Sequence, residues 1–159
     1  MRLPRTPAHN SVRELAPDFG FRLARIARLL RQAVDAELRA FGLTEATWRP
    51  LAYIGSLGEG VRQKELAHAL GIEGPSLVRQ LDSLERRGLI ERREDDVDRR
   101  ARGIHFTAAG RALQRRVQQV IETIQQQLLA ALRPADLLAC DRAFRTIEAA
   151  FGRRRDRAA

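Results

Sequence analysis

Apolar residues recur at intervals of three and four positions from Asp18 to Phe41, and this spacing predicts a long amphipathic helix. Asp18 is a candidate N-cap for this helix, and Gly42 is a candidate residue to end it. The same spacing continues over residues 44–57 and predicts a second helix. Pro50 lies inside that second pattern, so we expect it to kink the helix or to delay its start.

Two shorter helices follow the break that the sequence GEG makes at residues 58–60. The sequence RQKELAHALG predicts a helix that ends at Gly71, because glycine readily adopts the left-handed conformation found just after helix ends. Pro75 is suited to the first turn of the next helix, and Gly88 is suited to its end. The buried side of this helix is predicted to contain Leu77, Leu81 and Leu84.

A hairpin and two long helices complete the pattern. Residues 89–94 and 102–106 favour two strands around the polar tip DDVDRR. Thr107 is a candidate cap for a long helix, and Pro134 is suited to the start of a last one. Both helices have apolar residues at helical spacing, at Leu113, Val117, Val120, Ile124, Leu128 and Leu132 and at Leu137, Leu138, Phe144, Ile147 and Phe151.

These elements predict a mainly α fold, in which a winged helix-turn-helix lobe with a two-stranded β wing is flanked by long N- and C-terminal helices. The apolar stripes of the outer helices are too long to be covered by the small central lobe, so we expect a dimerisation bundle in a homodimer. The predicted boundaries are 1–42 for an N-terminal tail and first dimerisation helix, 43–107 for the winged lobe, and 108–159 for the C-terminal dimerisation helices and a basic tail.

Composition narrows the class of protein. Hydrophobic residues make up 44% of the chain and charged residues 31%, which is typical of a globular protein. The apolar runs are far shorter than a membrane span and the N-terminus has no signal-peptide core, so no membrane partner is expected. The single cysteine, Cys140, excludes an intrachain disulfide and fits a reducing cytoplasm. It lies near the apolar stripe of the last helix, so we expect a buried, unreactive thiol.

The sequence contains no glycine-rich phosphate loop, no nucleophile elbow and no metal-ligand pair at workable spacing, so an enzyme is not expected. Three scattered histidines and one cysteine do not make a metal site, and no cofactor is predicted. The formal net charge of +9 favours a nucleic-acid partner. Basic and acidic residues nearly balance between residues 60 and 107, however, so the positions of particular arginines matter more than their total.

Two short helices joined by a glycine-containing turn and followed by a hairpin are typical of a winged helix-turn-helix, whose second helix enters the major groove of DNA. With its leucines facing the core, the second helix would point four residues outward: Ser76, Val78, Arg79 and Gln80. A guanidinium matches the O6 and N7 atoms of guanine, so Arg79 is predicted to read bases. Ser76 would contact phosphate, Val78 would contact a thymine methyl group, and Pro75 would let the helix end approach the DNA backbone.

The hairpin tip is the second candidate DNA contact, because it places Arg99, Arg100 and Arg102 together. The negative potential of a minor groove attracts arginine, so these side chains are predicted to reach the groove beside the second helix. One alternative is that they pair only with the acidic residues of the same hairpin, Asp95, Asp96 and Asp98. Another is a nonspecific architectural DNA protein, in which loss of Arg79 would weaken binding to every sequence equally.

The run from Leu66 to Gly110 resembles the MarR family of bacterial regulators, especially its SlyA-like branch. The sequence LTEATW at residues 43–48 resembles the same branch. The family signature DRRA…I..T..G matches Asp98, Arg99, Arg100, Ala101, Ile104, Thr107 and Gly110. The strong match covers residues 43–113, and the outer helices match in order and length.

The resemblance implies a homodimer that assembles through its first and last helices and binds a pseudo-palindromic operator. It assigns base reading to Arg79 and minor-groove entry to Arg100, with Asp98 holding Arg100 in a charge-assisted pair. Arg99 and Arg102 would support the phosphate contacts, and Gln63 would lie near the DNA backbone at the start of the preceding helix.

The resemblance also implies release of DNA by a small aromatic acid that binds between the dimer helices and the winged lobe. Arg22, Trp48 and Tyr53 are the candidate effector contacts, because an aromatic carboxylate could stack on Trp48 and pair with a nearby arginine. The alternative is that Trp48 and Tyr53 are core residues and that Arg22 forms a surface ion pair.

Overall fold

The computed structural model describes residues 12–94 and 102–156 and confirms a mainly α winged-helix fold. The helices of this part of the chain are α1 Val12–Leu38, α2 Glu45–Leu57, α3 Gln63–Leu70, α4 Gly74–Arg86, α5 Ala108–Leu129 and α6 Pro134–Asp156. A short 3-10 helix, Arg39–Phe41, follows α1. The strands are β1 Val61–Arg62, β2 Ile90–Glu94 and β3 Arg102–Phe106. The chain divides into two compact units between Val120 and Ile121, within α5.

The first helix begins earlier than the sequence predicts. Asp18 lies inside α1 rather than at its start, and Pro17 is also within the helix. A residue that suits an N-cap allows a helix to begin there, but it does not interrupt a helix that has begun further upstream. The predicted end is confirmed, since Gly42 has a φ of 66° and Leu43 donates its backbone N–H to the carbonyl of Leu38 at 3.2 Å.

The second helix begins directly after Thr44 and runs through the proline. The backbone N–H of Thr44 donates to the hydroxyl of Thr47 at 2.9 Å, which closes the first turn. Pro50 is buried inside α2 and lacks the N–H that would otherwise bond the carbonyl of Ala46. Because α2 nevertheless starts at Glu45, the proline does not delay the start of the helix.

The sheet has three antiparallel strands among the described residues, in the order β1-β3-β2, where the sequence predicts two. β2 pairs with β3 over its whole length, from Ile90 opposite Phe106 to Glu94 opposite Arg102, as a hairpin requires. β1 adds only two residues, with Val61 opposite Ile104, so it is too short to produce an alternating pattern in the sequence. β1 therefore forms one edge of the sheet, beside β3.

The core of the winged lobe is built by side chains from six elements and the loop before β2. All of its members are apolar and buried: Leu51, Ile54, Val61, Leu66, Leu70, Leu77, Leu81, Leu84, Leu89, Ile90, Ile104 and Phe106. The three leucines predicted for the buried side of α4 are among them, each 0% exposed. Their burial fixes the rotation of α4 about its own axis, because residues at this spacing lie on one side of a helix.

No helix of the described residues combines the length and the apolar composition that a membrane span needs. That part of the chain also holds no cluster of three or more histidine, cysteine or acidic side chains that could bind a metal ion. Cys140 is exposed in the single chain, so its expected burial is wrong. It lies near the apolar residues of α6 as predicted, but the single chain leaves Leu138 and Phe144 of that helix exposed as well.

Candidate nucleic-acid interface

Helix α4 has one side in the core and one side in solvent. The solvent side begins with Pro75, Ser76 and Arg79, which are exposed, and Val78, which is half-buried. The helical period links the two sides, so the burial of the leucines determines where these four residues point. All four residues predicted for DNA contact on this helix therefore reach the surface, and Arg79 is among the three that are exposed.

The turn between α3 and α4 depends on a glycine. Gly71 has a φ of 66° and donates its N–H to the carbonyl of His68 at 3.1 Å, while Ile72 donates to the carbonyl of Ala67 at 3.2 Å. Glycine adopts a positive φ at no steric cost, so the chain can turn immediately after α3. Gln63 lies at the first position of α3 and is half-buried. The contacts predicted for Gln63 and for α4 thus come from one helix-turn-helix.

The wing is the hairpin of β2 and β3, and the described residues include its base. Arg102 is exposed at the first position of β3, opposite Glu94 of β2. The tip residues Asp98, Arg99 and Arg100 lie outside the described residues, so their contacts with DNA stay predictions. Arg102 is therefore the one residue predicted to contact DNA that lies in the described part of the wing.

Arg92 of β2 is a residue of this surface that the sequence analysis missed. One terminal nitrogen of its guanidinium lies 2.7 Å from the Asp82 carboxylate, and the other lies 3.0 Å from the Glu85 carboxylate. Both carboxylates belong to α4, so this arginine connects the wing to the helix that holds Arg79. Its position in a strand is readable from the sequence, but its partners are not, because they belong to a different element.

Glu59 connects the base of the wing to α5. Its carboxylate accepts the backbone N–H of Phe106 at 3.2 Å and pairs with the guanidinium of Arg111. The hydroxyl of Thr107 donates to the carbonyl of Gly88 at 2.6 Å and accepts the backbone N–H of Gly110 at 3.0 Å. Thr107 is therefore the cap of α5 that the sequence predicts, and the first turn of α5 is fixed to the wing.

The three candidate effector residues are not brought together within one chain. Trp48 is 5% exposed, and its indole N–H donates to the carboxylate of Asp35 at 3.4 Å. Tyr53 is half-buried against the core of the winged lobe, with the guanidinium of Arg49 5.9 Å from its ring centroid. Arg22 is exposed on α1 and precedes Asp35 by thirteen positions, which is about 20 Å along a helix.

The chain is similar to known proteins in both sequence and structure. The sequence profile of the MarR family matches residues 41–101, a range that includes α2, α3, α4 and β2. The crystal structure of the transcriptional regulator PA3341 is similar over 85% of this chain and 98% of that chain, with 30% sequence identity and a TM-score of 0.81.

Two further solved structures are similar over most of their length. CouR from Rhodococcus jostii RHA1, solved with bound p-coumaroyl-CoA, is 27% identical, with a TM-score of 0.74 over 84% of this chain and 93% of that chain. MepR from S. aureus, solved as a complex with DNA, is 24% identical, with a TM-score of 0.72 over 87% of this chain and 98% of that chain. The likeness to MepR shows a shared fold.

Proposed function

The chain belongs to the MarR family of transcriptional regulators, and we propose that it binds a pseudo-palindromic operator in double-stranded DNA as a homodimer. The observation that carries the proposal is the arrangement of α4, whose buried leucines hold Arg79 outward at the second helix of a helix-turn-helix. An exposed arginine in this position can donate two hydrogen bonds to one guanine in the major groove. Arg79 is therefore the residue to which we assign base reading.

The other predicted contacts have supporting roles in the proposal. Phosphate contacts set the register of a protein on DNA, whereas base contacts carry the sequence information. The phosphate contacts would come from Gln63, Ser76, Arg99 and Arg102, and Pro75 would allow α4 to approach closely. Val78 would touch a thymine methyl group, and Arg100, held by Asp98, would enter the minor groove beside the operator half-site.

Homodimer formation is supported by the apolar surface that a single chain leaves exposed. The exposed apolar residues are Phe19, Phe21, Leu23, Ile26 and Leu29 in α1 and Leu138, Phe144 and Phe151 in α6. Large exposed apolar surfaces on globular proteins mark sites of association. A two-fold dimer would present two copies of α4 to half-sites whose centres lie about one helical turn apart.

Release of DNA by a small aromatic acid is the regulatory part of the proposal. CouR, whose solved structure contains the aromatic acyl thioester p-coumaroyl-CoA, supports an aromatic ligand. A thioester has no free carboxylate, so the acid group is proposed from the sequence alone. Because Arg22 and Trp48 are far apart in one chain, an acid held by both would require Arg22 from one protomer and Trp48 from its partner. Tyr53 would act only if the ligand displaces the contacts that hold it against the core.

An enzyme and an architectural DNA protein are the competing classes. Members of this family are regulators rather than enzymes, so the proposal includes no catalytic residue and no cofactor. We place the regulator in the cytoplasm, where bacterial DNA lies, with no membrane partner. An architectural protein differs in one measurable respect, since it binds all sequences with similar affinity.

Selection of bound duplexes from a random pool tests the proposal. We expect the wild-type protein to enrich an inverted repeat with half-site centres about one helical turn apart. The enriched duplex, compared with a scrambled duplex of the same composition, then gives a discrimination ratio for each variant. A folded protein that binds duplex DNA but enriches no sequence would overturn the operator proposal and favour an architectural role.

A further inference from the structure

Helix α4 carries two acidic residues beside the arginine that is proposed to read bases. Asp82 follows Arg79 by three positions and Glu85 follows it by six. Residues three apart on a helix are surface neighbours, with Cβ atoms about 5–6 Å apart, so Asp82 is placed to pair with Arg79. An intrahelical pair of this kind would occupy the guanidinium that the bases need, and both carboxylates would repel DNA phosphates.

The structure shows Asp82 engaged elsewhere. A terminal nitrogen of Arg92 lies 2.7 Å from Asp82 Oδ1, and the second terminal nitrogen lies 3.0 Å from Glu85 Oε2. The backbone N–H of Arg92 also donates to Glu85 Oε1 at 3.3 Å. Within the described part of the chain, by contrast, no ion pair or hydrogen bond involves the Arg79 side chain.

Arginine is suited to this position because its planar fork can bond two carboxylates at once. The Arg92 side chain is only 20% exposed, whereas the side chains of Asp82 and Glu85 are each 40% exposed, so the arginine is the more buried member of both pairs. Its Nε is buried without an acceptor among the described residues. Burying an unpaired N–H opposes folding, so packing alone does not explain an arginine here.

We propose that Arg92 is a positioning residue that draws Asp82 away from Arg79 and neutralises the acidic side of α4, which leaves Arg79 free to read DNA. The inference rests on the proposed function, because it concerns the base contact of Arg79. It assigns the ion pairs between β2 and α4 a role in recognition beyond attaching the wing to the lobe. Loss of Arg92 would return Asp82 to Arg79 and leave two carboxylates facing the phosphates.

Two double variants with the same net charge as the wild type separate this role from a structural one. Arg92→Gln alone should weaken binding to the selected duplex about tenfold and lower the discrimination ratio to a similar extent. Adding Asp82→Asn removes the neighbour that would capture Arg79, so this double variant should recover both affinity and discrimination. Adding Glu85→Gln instead restores the net charge but leaves Asp82 beside Arg79, so that double variant should stay weak.

The outcomes are distinguishable. Recovery by both double variants would mean that only net charge matters, and recovery by neither would mean that Arg92 is a structural tie; each result would overturn the inference. If Arg92→Gln does not fold, Asp82→Asn in the wild-type background decides. Unchanged or tighter binding supports the inference, because Asp82 then makes no favourable contribution to DNA binding and can only capture Arg79 when Arg92 is absent. Weaker binding overturns the inference.

Thermal unfolding of each variant and a remote control complete the design. Arg145→Gln removes one arginine charge from an exposed ion pair of α6, where Arg145 lies 2.8 Å from Asp141, and should leave the discrimination ratio unchanged. A lower ratio in this control as well would overturn the inference by tracing the effect to total charge. Failure of the wild-type protein to prefer its selected duplex would instead count against the proposed function.

Discussion

The Cα atom of Gly110 lies against the carbonyl group of Leu89, so closely that a Cβ atom at residue 110 would overlap the carbonyl oxygen. The same oxygen accepts the backbone N–H of Thr107 at 3.2 Å. The first turn of α5 thus packs against Leu89, the residue that precedes β2. This close approach requires glycine at position 110, although its φ is not in the left-handed region.

We therefore expect Gly110→Ala to destabilise the protein by about 1–3 kcal/mol, because backbone and not a flexible side chain must move to admit the methyl group. Chemical denaturation followed by circular dichroism measures the change in the free energy of unfolding. Gly20→Ala is the control for adding a methyl group to a helix, since Gly20 lies in α1 and nothing of the same chain lies within 4 Å of the added Cβ. It should stabilise by about 0.5–1 kcal/mol, and equal effects of the two substitutions would refute the close approach.

Arg79→Ala should cost about 1–3 kcal/mol of binding to the selected duplex and remove discrimination at one base pair of each half-site. Arg86→Ala is a control on the same side of α4, seven positions and about two turns further along the helix. It should weaken binding to selected and scrambled duplexes alike, if at all. Titration of both variants against both duplexes checks this, and unchanged discrimination by Arg79→Ala would remove Arg79 from the proposed site.

A charged residue on the exposed apolar surface of α6 should disrupt the homodimer. Leu138 is 61% exposed in the single chain, and Leu138→Glu would place a carboxylate in the proposed interface. Leu57→Glu is the control, because Leu57 is 49% exposed but lies at the end of α2 in the winged lobe. Sedimentation should give a dimer for the wild type and the control, and a smaller or unfolded species for Leu138→Glu. A folded wild-type monomer of 18.0 kDa would contradict the dimer.

An aromatic acid effector should weaken operator binding, and operator DNA should weaken acid binding by the same factor. A tenfold effect needs only about 1.4 kcal/mol of coupling. Trp48 is the single tryptophan of the chain, so its fluorescence can follow titrations of salicylate-like acids with and without the selected duplex. Equal acid affinity in the two titrations would rule out this coupling. If no acid changes the fluorescence of Trp48, Trp48 is a core residue bonded to Asp35 and not an effector contact.

Much of the winged lobe was predictable because its signals are local. Helical spacing identified the buried side of α4, and the limits of β3 agree with the expected strand at residues 102–106. Gly42, Gly71 and Gly88 each have a φ of 66° where the sequence indicated the end of a helix. Each of these features depends on residues within a few positions of one another, so a local pattern in the sequence is sufficient to predict it.

The sequence by itself therefore determined the order of the elements, the buried side of α4 and the outward direction of Arg79. Only the tertiary structure decided which side chains meet across elements: Arg92 with the carboxylates of α4, Trp48 with Asp35, and Leu89 with Gly110. It also added β1 and separated Arg22 from Trp48. The physical reason is that periodicity reports the direction of a side chain relative to its own element, whereas a contact between elements depends on how the whole lobe packs.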